Sequence, residues 1–409
     1  MAISTNSLKN TKKKRRITIK KSLNIAHLHW GFPPIIGGVE THLTIILPQM
    51  VKWGHKVSLL TCSVEGVPPY EEYQGISLWR TPLMDLNWLS RRGLEGLEED
   101  IENVFSSFIE KAKPDILHAH NMHYFSEVHA RILKDLSEKK GIPLILTAHN
   151  VWDDILFLEL THKVNWTHII AVSYYIKKEI IGIGVDDRKI TVIHHGVDQE
   201  KFHPHIKPTK ILKKYPQLKN RKVIFHPARI GLAKGCDISI KAINLVREKY
   251  PEIILVLAGS KNIIDWDQMQ QKDIAYMVNL IKHFRLEENI LIDFYSLEEM
   301  KELYILSCVC VYPSTVPEPF GLTMLEAQAC SRPMVVTYSG GMPEVIKDGV
   351  NGFVVNIRDF EDLAAKIIQL LEDNKLRCRL GYTGRQIIES HYTKERVTQD
   401  TLNLYKKFT

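Results

Sequence analysis

The sequence predicts an α/β protein built from two doubly wound parallel sheets, and three observations carry that reading. Short apolar runs alternate with segments of helical periodicity, as βαβ units require. The alternation occurs twice along the 409 residues. Between the two passes lies a polar stretch rich in lysine and proline, Lys201 to Lys222, with the composition of a linker.

Leu23 to Leu28 reads as the first strand. A Gly/Pro loop follows and leads into a helix from about Val39 to Trp53. Further strands are expected at Val57–Thr61, Ile116–His120, Leu144–Ala148, Ile169–Ser173 and Ile190–Ile193, with helices between several of them. The second pass supplies Val223–Pro227, Ile253–Ala258, Ile290–Asp293, Val309–Tyr312 and Met334–Thr337. Lys375 to Thr409 is helical, with no strand after it. The expected divisions are a tail at 1–21, a first domain at 22–202, a linker at 203–222, a second domain at 223–385 and a terminal helix at 386–409.

Apolar content of 44% and charged content of 25% are ordinary for a globular protein. No apolar run reaches the eighteen or so residues that a membrane span needs. The six cysteines are scattered and form no Cys-x-x-Cys pair, which argues for reduced thiols and a cytoplasmic location. The net charge of +7 is uneven. Residues 1–21 hold eight of the 54 basic residues and no acid; the remaining 46 face 47 acidic residues, a net of −1. Such a tail could touch anionic lipid headgroups as a peripheral membrane contact. A disordered solubilising extension is the plainer reading, and no nucleic-acid partner is expected.

Glu318 to Glu326 reads Glu-Pro-Phe-Gly-Leu-Thr-Met-Leu-Glu, directly after the apolar run Cys308–Tyr312. Phe320 to Cys330 has helical character, with Pro319 near its start. Glu318 is therefore expected in the loop at the carboxyl end of a strand, and Glu326 about two turns into the next helix. In open α/β sheets that edge binds ligands. A plainer reading is a carboxylate favoured at a helix N-terminus, with Glu326 on a solvated face.

The stretch resembles the Glu-x7-Glu signature of retaining glycosyltransferases of the GT-B fold, and its wording is close to that of family four. The resemblance implies two Rossmann-like domains facing across a cleft, with the last helix crossing back to the first domain. It implies that Glu318 binds hydroxyls of a donor sugar. By the same likeness Glu326 binds the ribose of its nucleotide, and Phe320, Gly321 and Leu322 line the donor side.

Other motifs agree. Arg229-Ile230-Gly231-Leu232-Ala233-Lys234-Gly235 resembles the family's Arg-x4-Lys-Gly, whose two cations stabilise the charge that builds on a departing diphosphate. On that account no metal or cofactor is expected. The turn from Gly31 to Glu40 lacks Gly-x-Gly-x-x-Gly. Gly37 and Gly38 still let a ligand approach bare N–H groups at a helix start, although they could equally serve the turn alone. His118, His120 and His123 lie close in sequence, but no acid or cysteine completes a ligand set; the likeness to the family's His-x-His implies that His120 lines the cleft. Thr147-Ala148-His149-Asn150 resembles Thr-x-His-Asp; the likeness implies that His149 positions the reacting groups and sets Asn150 where an acid is usual. Ser339-Gly340-Gly341-Met342-Pro343-Glu344 looks like the family's Gly-Gly-x-Pro-Glu and is rated contributory.

Three segments depart from the family pattern. Lys261 replaces a common glycine, Tyr295 stands beside the expected base pocket, and His194-His195-Gly196-Val197-Asp198 replaces Asn-Gly-Val-Asp. On the acceptor side, Trp152 and the segment to Leu160 are the expected lid. The implied activity is transfer of a hexosyl unit from a nucleoside-diphosphate sugar, uridine favoured, to a hydroxyl of a sugar, lipid-linked or aminocyclitol-like acceptor. A nucleotide-sugar epimerase, a phosphorylase or a non-catalytic binding protein of the same plan are the competing readings.

Overall fold

The computed structural model describes residues 22–151, 155–259 and 267–409. The basic tail, Trp152 with Asp153 and Asp154, and Ser260 with Lys261 lie outside the described residues. The first sheet contains β1 Asn24–Leu28, β2 Lys56–Cys62, β3 Tyr70–Tyr73, β4 Ile76–Thr81, β5 Ile116–His120, β6 Leu144–Ala148, β7 His168–Ala171 and β8 Ile190–Val192. The second contains β9 Lys222–His226, β10 Ile253–Gly259, β11 Ile290–Phe294, β12 Val309–Tyr312, β13 Met334–Thr337 and β14 Gly352–Val355. Their spatial orders are 3-4-2-1-5-6-7-8 and 11-10-9-12-13-14.

The central strands β5, β6, β7, β12 and β13 are buried along their whole length, the condition of a parallel strand covered on both faces. Two features differ from the expected strands. β3 and β4 form an antiparallel hairpin at one edge, turned by Gln74 and Gly75, both in the left-handed region. The four-residue β14 closes the opposite end of the second sheet. In register, β1 sets His27 beside His118 of β5, and β5 sets His120 beside Thr147 of β6.

The terminal segment is two helices, Asn374–His391 and Lys394–Tyr405, so the division expected at 385 falls inside the first of them. The second packs on the helix Gly38–Lys52, and its Val397, Leu402, Leu404 and Tyr405 are buried in the core beneath the first sheet. The expected linker carries a short helix, Thr209–Lys214, which docks on the second sheet's side where Ile211 N donates to Glu302 Oε2 at 2.8 Å. The chain crosses between sheets at two adjacent places. Val197 N donates to Tyr392 O at 2.8 Å, and Lys394 N donates to Val197 O at 3.1 Å. No described helix is long and apolar enough to cross a membrane.

Candidate active site

The carboxyl edge of the second sheet gathers charge. Lys234 ends a single turn, Leu232–Lys234, after β9, and Glu318 lies in the loop after β12. Gly235 joins these loops: its φ is +75°, and a Cβ there would sit 1.8 Å from the Pro313 carbonyl oxygen. The contact brings Lys234 Nζ to 2.7 Å from Glu318 Oε2, to which the Tyr312 hydroxyl also donates at 2.5 Å. Burial pushes the Glu318 carboxyl up, but the Lys234 ammonium and these hydrogen bonds outweigh it and hold it below its ordinary range. Burial likewise lowers Lys234, and the Glu318 charge and Tyr312 more than reverse that. Arg229 adds a further pull on Glu318; its guanidinium is exposed and makes no hydrogen bond to another described residue.

The helix after Glu318 spans Leu322–Ala329, not Phe320 to Cys330. Gly321, at φ +85°, turns the chain into it, and that left-handed residue cannot belong to the first helical turn. Leu322 is therefore the first helical residue. Glu326 lies little more than one turn in. It is buried, with Tyr304 donating to its Oε2 at 2.7 Å, and burial raises its carboxyl to about 7 against that hydrogen bond. No described contact joins it to Lys234 or Glu318. Gly340 and Gly341 carry the Glu318 loop: added Cβ atoms would sit 2.2 Å from Glu318 O and 2.4 Å from Pro319 O. The Gly341 N–H is taken by Glu318 O at 2.8 Å. Tyr295 lies elsewhere, packed edge-on to Tyr215 with Lys214 over its ring, and its buried hydroxyl makes no hydrogen bond of good geometry to another described residue.

The first sheet's carboxyl edge is built differently. Gly37 precedes the helix Gly38–Lys52, and the Glu40 carboxylate folds back beneath the turn, where a Cβ on Gly37 would come within 2.4 Å of it. Glu40 Oε1 lies 2.9 Å from His29 Nε2. His120 and His149 are joined Nδ1 to Nε2 at 3.0 Å. His149 also reaches His195 Nε2 at 3.4 Å, so neighbouring imidazoles take both of its ring nitrogens. Asn150 is half-buried; its carbonyl meets His123 Nε2 at 3.1 Å, and its Oδ1 has no partner among the described residues. His123 thus stands apart from His118 and His120.

The third imidazole is His27, which sequence spacing did not single out. The nitrogens of His27, His118 and His120 lie within 4.8 Å of one another. His118 and His120 both have each ring nitrogen hydrogen-bonded, to Tyr405 and Thr147 and to His27 and His149 respectively. No acid belongs to the trio to offset an ion's charge. The geometry is that of a hydrogen-bonded interior.

Glu344 ties the two edges together. Its carboxylate accepts from Tyr174 N at 2.9 Å and Tyr175 N at 2.8 Å, at the start of the helix Tyr174–Gly182, and meets His194 Nε2 at 2.9 Å. Phe320, from the loop of Glu318, stacks on His194 with ring centroids 5.4 Å apart and meets His195 edge-on at 5.3 Å.

This two-sheet architecture is that of the GT-B glycosyltransferases. A glycosyltransferase from Rickettsia africae superposes with a TM-score of 0.81 at 20% identity, covering 95% of this chain and 99% of that one. The Anabaena protein HepE in complex with UDP and glucose gives 0.76 at 18% identity, covering 94% and 99%. In sequence, the chain is 26% identical over 403 residues to an uncharacterized glycosyltransferase of Methanocaldococcus jannaschii, spanning 94% of this chain and 98% of that protein. The model of the glycosyl transferases group 1 family matches residues 208–387, and that of glycosyltransferase family 4 matches residues 36–201. The chain belongs to glycosyltransferase family 4, and it is a glycosyltransferase.

Proposed function

We propose that the chain moves a hexosyl unit from a nucleoside-diphosphate sugar, with UDP the favoured nucleotide, to an acceptor hydroxyl with retention of configuration. The observation that carries this reading is the Lys234–Glu318–Tyr312 cluster with Arg229 unengaged beside it. A diphosphate held by the two cations brings its attached sugar within reach of a carboxylate only 2.7 Å from the ammonium. The UDP and glucose bound by the fold neighbour HepE support the choice of nucleotide.

The chemistry needs one bond broken and one made at the anomeric carbon. The bond to the β-phosphate oxygen breaks while the acceptor oxygen enters on the same face, and the acceptor proton passes to a phosphate oxygen. Arg229 and Lys234 hold the charge that develops on the leaving diphosphate. Glu318 orients the sugar through its hydroxyls. These roles require no metal or cofactor. Glu326 and Tyr295 are assigned to the nucleoside, His149, His120 and Asn150 to the acceptor side, and Gly37 and Gly38 to the loop over the cleft. A lipid-linked acceptor would suit a tail that touches membrane.

Calorimetric titration with UDP, GDP and ADP, and then with their glucose, N-acetylglucosamine and mannose derivatives, tests the reading. One nucleotide is expected to bind, and Arg229→Ala to weaken it about tenfold. Binding of none of them overturns the proposal, and an unchanged affinity in Arg229→Ala removes that residue from the site.

A further inference from the structure

Five buried histidines run in one hydrogen-bonded line across the carboxyl edge of the first sheet. His27 Nδ1 meets His120 Nε2 at 3.0 Å, His120 Nδ1 meets His149 Nε2 at 3.0 Å, and His149 Nδ1 meets His195 Nε2 at 3.4 Å. His195 Nδ1 then meets His42 Nδ1 at 3.0 Å. The line threads β1, β5, the loops after β6 and β8, and the helix Gly38–Lys52. His118 is equally buried but off the line, held by Thr147 and Tyr405.

A neutral imidazole carries one N–H and one lone pair. Burial lowers the basicity of all five rings, to about 3 at His27 and His42, so each is neutral at neutral pH. At each junction of neutral rings one N–H must face one lone pair, so the tautomer of one ring fixes the tautomers of all. The atom pairings add a constraint. Three junctions join Nδ1 to Nε2, whereas the last joins Nδ1 to Nδ1. Whichever way the line points, His27, His120, His149 and His195 must share one tautomer, and His42 must hold the other.

We propose that His27, His120, His149, His195 and His42 form a single tautomeric unit, in which His120 and His195 are positioning residues that fix the ring of His149. The unit's effect on transfer rests on the proposed function; its existence does not. His195 carries the link to the other sheet. Its ring stacks on His149 with centroids 5.1 Å apart and 11° between planes, and its edge meets Phe320, two residues after Glu318. An asparagine at 195 has no flat ring to stack and too short a side chain to span both neighbouring imidazoles. The departure His194-His195 thereby gains a role that the motif reading did not give it.

The test is nuclear magnetic resonance of the full chain with isotope-labelled histidine, at neutral pH, reading the protonated nitrogen of each ring. Four rings of one tautomer with His42 of the other is the expected result. Mixed tautomers among His27, His120, His149 and His195, or a charged ring within the line, overturn the unit. With a donor and acceptor in hand, His195→Asn is expected to lower kcat about tenfold while donor KM stays within about twofold. An unchanged kcat in a variant whose His149 has lost its tautomer overturns the positioning role. If no nucleoside-diphosphate sugar supports turnover in the unaltered chain, the proposed donor and transfer reaction fail, while the tautomer pattern is decided independently.

Discussion

The two carboxyl edges that face each other solve the same problem with opposite chemistry. Both must keep polar side chains nearly dry. The second sheet does so with full charges, pairing Lys234 with Glu318 so that each holds the other ionised. The first does so with neutral rings joined end to end, with only the outer Nε2 of His27 left buried without a partner among the described residues along the line. A paired charge exerts a field that an anion can exploit when it displaces one partner. A line of neutral imidazoles exerts little net field but resists rearrangement, because no ring can change alone. On the proposed function, the difference suits an edge that handles a departing anion opposite one that holds an uncharged hydroxyl in place.

Breaking the charged edge has the largest expected effect. Glu318→Ala should lower turnover about a thousandfold, with nucleoside-diphosphate affinity changed only a few-fold in calorimetry. Comparable turnover in that variant would remove Glu318 from the chemistry.

Glu326 sharpens the comparison, since it is a buried acid with a phenol and no cation beside it. Its carboxyl is raised from 4.5 to about 7, so the folded state holds its proton more tightly than the unfolded state. Stability from this group is full below pH 4.5 and is lost as pH rises through 7. Glu326→Gln should therefore match the unaltered chain near pH 4.5 and exceed it by on the order of 3 kcal/mol at pH 8. Equal denaturation midpoints at pH 8 would contradict this.

Lys234→Ala leaves the Glu318 carboxylate without its cation. The side chains are 20% and 12% exposed, so the expected loss is about 2 kcal/mol, below the cost of breaking a fully buried pair. The Glu318 carboxyl is depressed in the folded chain, so the pair's contribution stands above pH 4.5 and fades as pH falls through the lowered value. Urea melts at pH 7.5 and pH 3.5 measure that narrowing, and a gap of constant size would argue against an ionic origin.

Glu344→Ala should have the smallest effect, about 1 kcal/mol, since it removes the acceptor of the Tyr174 and Tyr175 N–H groups while Ser173 still caps the helix. Its clearer readout is shape: small-angle scattering should show the two domains further apart. An unchanged radius of gyration would mean that Phe320 against His194 and His195 suffices to hold them.

Much of the fold was legible because parallel strands covered on both faces leave continuous apolar runs, such as Leu144–Ala148 and Met334–Thr337. β3 escaped because Tyr-Glu-Glu-Tyr is an exposed edge with two acids, and only the Gln74-Gly75 turn marks its hairpin. β14 escaped because glycine opens it and the turn residues Asp348, Gly349 and Asn351 stand directly before it, leaving only Phe353 to Val355 as an apolar run. In the site, Arg229, Lys234 and Glu318 were legible as spaced letters on two strand ends. His27 and His42 were not, since their partnership depends on β1 lying beside β5 and on a helix start folded over both. The signal available was a repeated phase: His27-x-His29 straddles the end of β1, and His118-x-His120 closes β5.

The two neighbouring crossings of the backbone, Val197 bridged to Tyr392 and Lys394, restrict how the cleft can open. A body attached at one point can twist and slide as well as swing. One attached through two strands laced side by side behaves as a door on a pinned edge. The sweep is then greatest at the lip farthest from the pins. Phe320 and Glu344 lie close to the pinned edge, beside Tyr392, and would travel least, so the cleft can gape at its mouth while the Glu318 loop stays near His195.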